Sequence, residues 1–263
     1  MTVTKTKRRR FIVRRSSLPG QEKLREIYDE AGVVVVQGAI PLSQLRRLQQ
    51  AVQELFELSG QYQGDVHKTC AHLDRVDQDL LYQINKCVAR TRAFRDVTGH
   101  CWKYAALLHE VRPAAMYMTG DVLFGLSNDD RLVIDWHQDS AYYPGIKDPS
   151  TLMNCWFPVF EDATIENGAI SLLLGSSCEG RIAKTEHRRP HEKAFLSLVP
   201  DGVQDLEKTY EEYRCTCEVG DLVVFNSNMV HRSNFNSTDH TRFSGVMVLH
   251  APKTLPEKFG WYD

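Results

Sequence analysis

The sequence predicts a mainly β fold flanked by α-helices, and two observations predict it. Between about residues 21 and 115, apolar side chains recur mostly at helical spacing. From about residue 116 the pattern changes to short β-rich runs broken by Gly, Asn, Asp and Pro. Short strands separated by turn residues indicate a sandwich or barrel. The expected organisation is a flexible basic tail over residues 1–20 and one domain over 21–263. Within it, helical support over about 21–115 precedes a β core over about 116–252.

The elements follow in order. Lys5-Thr-Lys-Arg-Arg-Arg10 opens the chain and reads as a solvated tail. Val33 to Val36 is a short apolar strand. Leu42, Leu45, Leu48, Val52, Leu55 and Phe56 share a helical face, with Pro41 placed to start that helix. Residues 80–97 read as a further helix. Strands are expected over 116–126, 131–136, 151–160, 169–174, 214–218, 221–225 and 242–250.

Composition is that of an ordinary globular enzyme. The 263 residues are 42% hydrophobic and 25% charged, enough for one sizeable core. A net charge of −2 gives no nucleic-acid signature. The seven cysteines are scattered, and Cys215 with Cys217 lacks the second pair a zinc site needs. Reduced thiols in a cytoplasmic protein are the simplest reading. No stretch has the length of a membrane span, and no signal-peptide hydrophobic region follows the basic start.

The chemistry concentrates in His137-Gln-Asp139, His231 and Arg242. Two histidines and one carboxylate are the ligand set of mononuclear non-haem Fe(II) oxygenases. On a strand, His137 and Asp139 share a face and reach one ion together. His231 follows a second strand-like run. Arg242 heads a third, and a buried arginine needs an anionic partner because it cannot shed its charge. One end of a small diacid offers such a carboxylate.

These residues sit in a wider set of segments. They are Gly32-Val-Val-Val-Val36 with residues 42–56, Trp136-His-Gln-Asp-Ser-Ala-Tyr-Tyr-Pro144, Glu166-Asn-Gly-Ala-Ile170, Gly220-Asp-Leu-Val-Val-Phe225, and Val230-His-Arg-Ser233 leading to Arg242. Together they resemble the phytanoyl-CoA dioxygenase family of Fe(II)/2-oxoglutarate-dependent oxygenases. The resemblance covers nearly the whole domain. It implies a double-stranded β-helix core, jelly-roll and cupin-like, behind an N-terminal helical region. It implies His137, Asp139 and His231 as iron ligands. Arg242 would bind the distal carboxylate of 2-oxoglutarate, assisted by Ser233, with Trp156 and Asn154 lining the cosubstrate pocket. Dioxygen is the other cosubstrate.

The implied reaction is hydroxylation of a C–H bond of a small or medium-sized metabolite, releasing succinate and carbon dioxide. Desaturation, epoxidation or ring closure by the same site is the alternative. A cupin-like metal-binding protein without redox turnover is the alternative of another class; it leaves Arg242, Ser233 and Trp156 unexplained as a set. No membrane or nucleic-acid partner is expected. The chain differs from many relatives after Asn167-Gly168, reading Leu174-Gly-Ser-Ser-Cys178 where they have Pro-Gly-Ser-His.

Other residues carry two readings. His67, His72, His100 and His109 are surface or capping residues before they are ligands. His250 shares strand parity with Arg242. Tyr142 and Tyr143 line a substrate pocket or pack a core. Asp135 is an acceptor that holds a ligand histidine, or a strand-end charge. The segment 181–193 is a solvated loop, or a rim where His187, Arg188 or Arg189 meets an anionic substrate group.

Overall fold

The computed structural model describes residues 10–109, 116–130, 133–187 and 197–251. The chain opens with β1 (Ile12–Arg14), α1 (Gln21–Ala31), β2 (Val33–Gln37) and α2 (Leu42–Leu58). Three helices follow: α3 (Val66–Val76), α4 (Gln78–Val88) and α5 (Arg92–Leu108). The β-rich part holds β3 (Met116–Gly125), β4 (Leu152–Pro158), β5 (Ser171–Leu173), β6 (Lys184–His187) and β7 (Ser197–Pro200). It ends with α6 (Val203–Thr209), β8 (Glu212–Arg214), β9 (Leu222–Asn226), β10 (His231–Arg232) and β11 (Arg242–His250).

Six strands form the main sheet in the order β1-β2-β9-β4-β11-β3, and a smaller sheet runs β10-β5-β8. The architecture is a cupin-like jelly roll with flanking helices; the strands do not close into a barrel. β1 lies parallel to β2, and the other pairings are antiparallel. Helices cover one face of the main sheet. Leu45, Leu48, Val52 and Phe56 of α2 share a core with Met153, Cys155 and Phe157 of β4 and Phe243 and Met247 of β11. Burying this face is the largest favourable term the fold has. The other face carries Arg242, Trp156 and Asn154 by strand alternation and looks toward the small sheet.

Several expectations change. Residues 1–20 are not all tail: Ile12–Arg14 forms the edge of the main sheet, with Phe11 and Val13 buried. Residues 1–9 lie outside the described residues. The helix expected over 80–97 is two, because Ala89 ends α4 and the Thr91 side chain caps α5 by accepting from Phe94 N. The strand expected over 131–136 is absent from 133–136, and Arg131 and Leu132 lie outside the described residues. The strand expected over 214–218 sits earlier, at Glu212–Arg214. Lys184–His187 is no loop but one arm of the hairpin β6–β7. Arg188, Arg189 and Lys193 fall outside the described residues.

Candidate metal and cosubstrate centre

The HxD pair is assembled by a different device from strand alternation. His137 forms an isolated antiparallel bridge with His231. His137 N donates to His231 O at 2.9 Å, and His231 N donates to His137 O at 3.0 Å. The backbone therefore locks two candidate ligands to each other, with ring centroids 4.1 Å apart. Asp139 begins a 3₁₀ turn running to Tyr142, and that turn folds its carboxylate back.

Each imidazole is oriented in the same way. His137 Nδ1 donates to Asp135 O at 2.7 Å, and His231 Nδ1 donates to Met229 O at 3.0 Å. Both acceptors are the carbonyl two residues upstream. Carbonyls accept only, so both protons sit on Nδ1 and both Nε2 lone pairs are free to bind. Asp135 thus acts through its backbone; its own carboxylate accepts from Trp136 N. Gly32, at φ +74°, lets the α1–β2 turn pass against the Met229 side chain, where a Cβ would lie 2.4 Å from it.

The three donors converge. Asp139 Oδ1 lies 3.3 Å from His137 Nε2 and 3.7 Å from His231 Nε2. All three ligand atoms fall within 4.8 Å of one another. Bonds of about 2.1 Å at right angles separate neighbouring donors by roughly 3.0 Å, so one divalent ion fits with modest closure. Burial opposes ionisation of Asp139, but His231, His137 and Asn154 outweigh it and hold the carboxyl below its usual range. Burial, reinforced by His137, pushes His231 down to about 4, leaving it neutral and able to bind metal.

Arg242 is buried across the same face. Its guanidinium stacks near Trp156, 5.7 Å from the ring centre, and Nη1 donates to Gly168 O. It rests on Gly125, its register partner, where a Cβ would stand 3.0 Å from Nη2. Nε remains buried with no hydrogen-bond partner, and so does Ser244 Oγ, two residues along the same strand face. Two buried, unsatisfied donors on one strand face are what an incoming carboxylate would satisfy. Ser233 lines the small pocket beside Arg242, but its hydroxyl is taken by the backbone of Ile134. Ser244 escaped the sequence reading; its parity with Arg242 was the signal.

Asn154 goes elsewhere. Its Nδ2 donates to Asp139 Oδ2 at 2.6 Å rather than facing the Arg242 end of the cavity. Arg232 stacks over Trp136 at 4.4 Å and donates to Glu212, away from Arg242. Tyr142 and Tyr143 pack with Ile146, Leu152, Leu198 and Val248. Tyr142 also meets His137 edge-on at 6.2 Å. His67 lies away from the triad, where its Nδ1 donates to Thr241 O at 2.7 Å. His100 bonds Gln44, and His109 caps α5. His250 is buried, and its Nδ1 has no partner.

Two histidines and one carboxylate converged on a jelly roll are the ligand set that non-haem metal oxygenases use. The profile of the phytanoyl-CoA dioxygenase (PhyH) family matches residues 28–244, and the chain belongs to that family. It is 28% identical over 226 residues to dioxygenase hkm4 of Aspergillus hancockii, covering 81% of this chain and 65% of that one. The chain spans between 30% and 65% of the lengths of the curated relatives it matches. EvdO2 from Micromonospora carbonacea var. aurantiaca, solved with 2-oxoglutarate, shares the fold at TM-score 0.61 and 18% identity, over 94% of this chain and 98% of its own. The epimerase SnoN, solved with Fe3+, alpha ketoglutarate and nogalamycin RO, does so at TM-score 0.58 and 16% identity, over 91% and 87%. The three converged donors could hold one metal ion. Among the described residues no helix is long and apolar enough to cross a membrane.

Proposed function

We propose that this protein is an Fe(II)/2-oxoglutarate-dependent dioxygenase that hydroxylates a C–H bond of a small or medium-sized metabolite, with release of succinate and carbon dioxide. One observation carries the reading. His137, Asp139 and His231 converge beside Asn154, on whose sheet face lies a buried arginine whose Nε, like the hydroxyl of Ser244, lacks a partner. A metal-binding protein without turnover has no use for that second feature.

Iron bound by the triad supplies dioxygen activation coupled to oxidative decarboxylation of the cosubstrate. The chain's own residues do the rest. Nδ1 donation to Asp135 O and Met229 O keeps both Nε2 lone pairs aimed at one point. Arg242 and Ser244 supply the charge and the hydroxyl for the distal carboxylate, and Trp156 walls the guanidinium. The burial of Phe225 against His231, with ring centroids 4.9 Å apart, keeps water from the back of the site. The test is succinate formation from 2-oxoglutarate with Fe(II) and ascorbate, against an Asp139→Ala control. Succinate above that control, raised further by a substrate whose product gains one oxygen atom, supports the proposal. No succinate above it, with or without a metabolite panel, overturns it.

A further inference from the structure

Asn154 occupies the centre of the main sheet, paired with Phe225 of β9 on one side and Val248 of β11 on the other. It is 3% exposed. Its Nδ2 donates to Asp139 Oδ2 at 2.6 Å, while its Oδ1 accepts from Ser227 Oγ at 2.8 Å. Ser227 is wholly buried and is itself fixed: its N donates to Leu152 O, and its O accepts from Ser140 N, the residue after Asp139. Only one proton arrangement satisfies this chain. An ionised carboxylate accepts only, so the amide must turn its NH2 to Asp139 and its carbonyl to Ser227, which must then donate. A flipped amide would set oxygen against oxygen.

The arrangement divides the two oxygens of Asp139. Oδ1 is the atom near both Nε2 atoms, and Oδ2 is held by Asn154. An ion held at the triad would therefore meet one carboxylate oxygen, not two. We propose that Asn154, oriented by Ser227, is a positioning residue that keeps Asp139 a one-oxygen ligand and so preserves the open coordination positions the cosubstrates need. This rests on the metal assignment of Asp139. It departs from the family-based expectation that Asn154 touches 2-oxoglutarate.

The test is Co(II) binding to the metal-free 263-residue chain without 2-oxoglutarate, followed by affinity and by visible absorption, which reports coordination number. Asn154→Leu, close in volume but unable to donate, should weaken binding by roughly 10- to 100-fold and change the spectrum. Ser227→Ala should shift both in the same direction by less. The double variant should be no worse than Asn154→Leu alone, because Ser227 acts through Asn154. Circular dichroism establishes which variants fold; if Asn154→Leu does not, Ser227→Ala and its spectrum carry the test. Wild-type Co(II) affinity and spectrum in the folded Asn154 variant, with only the 2-oxoglutarate requirement raised, would overturn the proposal and restore the cosubstrate role. Full additivity of the two substitutions would also overturn it. Asp139→Ala separates the layers: normal Co(II) binding there sinks the metal assignment itself, whereas its loss beside a normal Asn154→Leu sinks only the positioning role.

Discussion

At the scale of single residues, the centre sorts its polar groups by whether their donors are already used. Replacing His137, Asp139 or His231 by Ala should abolish Fe(II) binding and leave the melting temperature of the apo-protein nearly unchanged, since the preformed sheets do not depend on the ion. Arg242→Ala should raise the 2-oxoglutarate requirement on the order of a hundredfold, because an entering carboxylate then loses its fixed opposite charge. Arg242→Lys should recover part of this, keeping the charge without the planar fork. Arg232→Ala should cost little, because that guanidinium stacks on Trp136 and donates to Glu212, away from Arg242. Titrating 2-oxoglutarate against the three variants side by side checks the set; equal defects in Arg242→Ala and Arg232→Ala would count against it. Ser244→Ala should raise the same requirement more than Ser233→Ala. The triad and Arg242 were legible because charged or metal-binding side chains stand inside apolar runs. Ser244 was not, because a serine on an alternating strand looks like ordinary patterning. Asp135 does hold a ligand histidine as an acceptor, through its carbonyl, and no sequence pattern says which of its oxygens that is.

Elements show where local reading stops. The helix over 42–56 and the strands at 33–36, 221–225 and 242–250 follow from periodicity, and the structure places α2, β2, β9 and β11 on them within a residue or two. The segment before His137 looked equally strand-like and is not a strand over 133–136, because its neighbours are Ser233 and His231 rather than a long partner strand. Pairing across about a hundred residues is invisible in a window of ten. β1, β6 and β7 are too short to announce themselves. Within the main sheet, Gly245 of β11 faces Phe157 of β4, whose ring covers its backbone. A Cβ at 245 would stand 2.1 Å from that ring. Gly245→Ala should therefore destabilise the fold by about 2 kcal/mol or more, read as a lower urea midpoint at unchanged slope. A midpoint within error of wild type would show that Phe157 moves aside freely.

Across the whole molecule, one half-buried acid, Glu161, ties stability to pH. Burial pushes the Glu161 carboxyl up to about 7, against the pull of the Phe243 N–H and of Arg242. A carboxyl whose folded pKa exceeds its unfolded one favours the folded state at low pH. That contribution is complete below about pH 4 and is lost as pH rises through 7. At most it amounts to about 3 kcal/mol. Glu161→Gln keeps an acceptor for Phe243 N and cannot ionise. Between pH 5 and pH 8 the metal-free wild type should thus lose more urea resistance than Glu161→Gln; parallel losses would remove Glu161 from the account.

Gly125 gives the cosubstrate end a hidden tolerance map. It lies on β3, at the edge of the main sheet, where substitutions are ordinarily cheap. Yet the guanidinium of Arg242 rests against its backbone, so a Cβ there makes that cation give way by a few tenths of an ångström, and a larger side chain by more. In a saturation scan scored separately for folded protein and for succinate release, position 125 should behave as position 242 does: abundance retained, turnover lost. A position that never touches the cosubstrate would then be as constrained as the one that holds it.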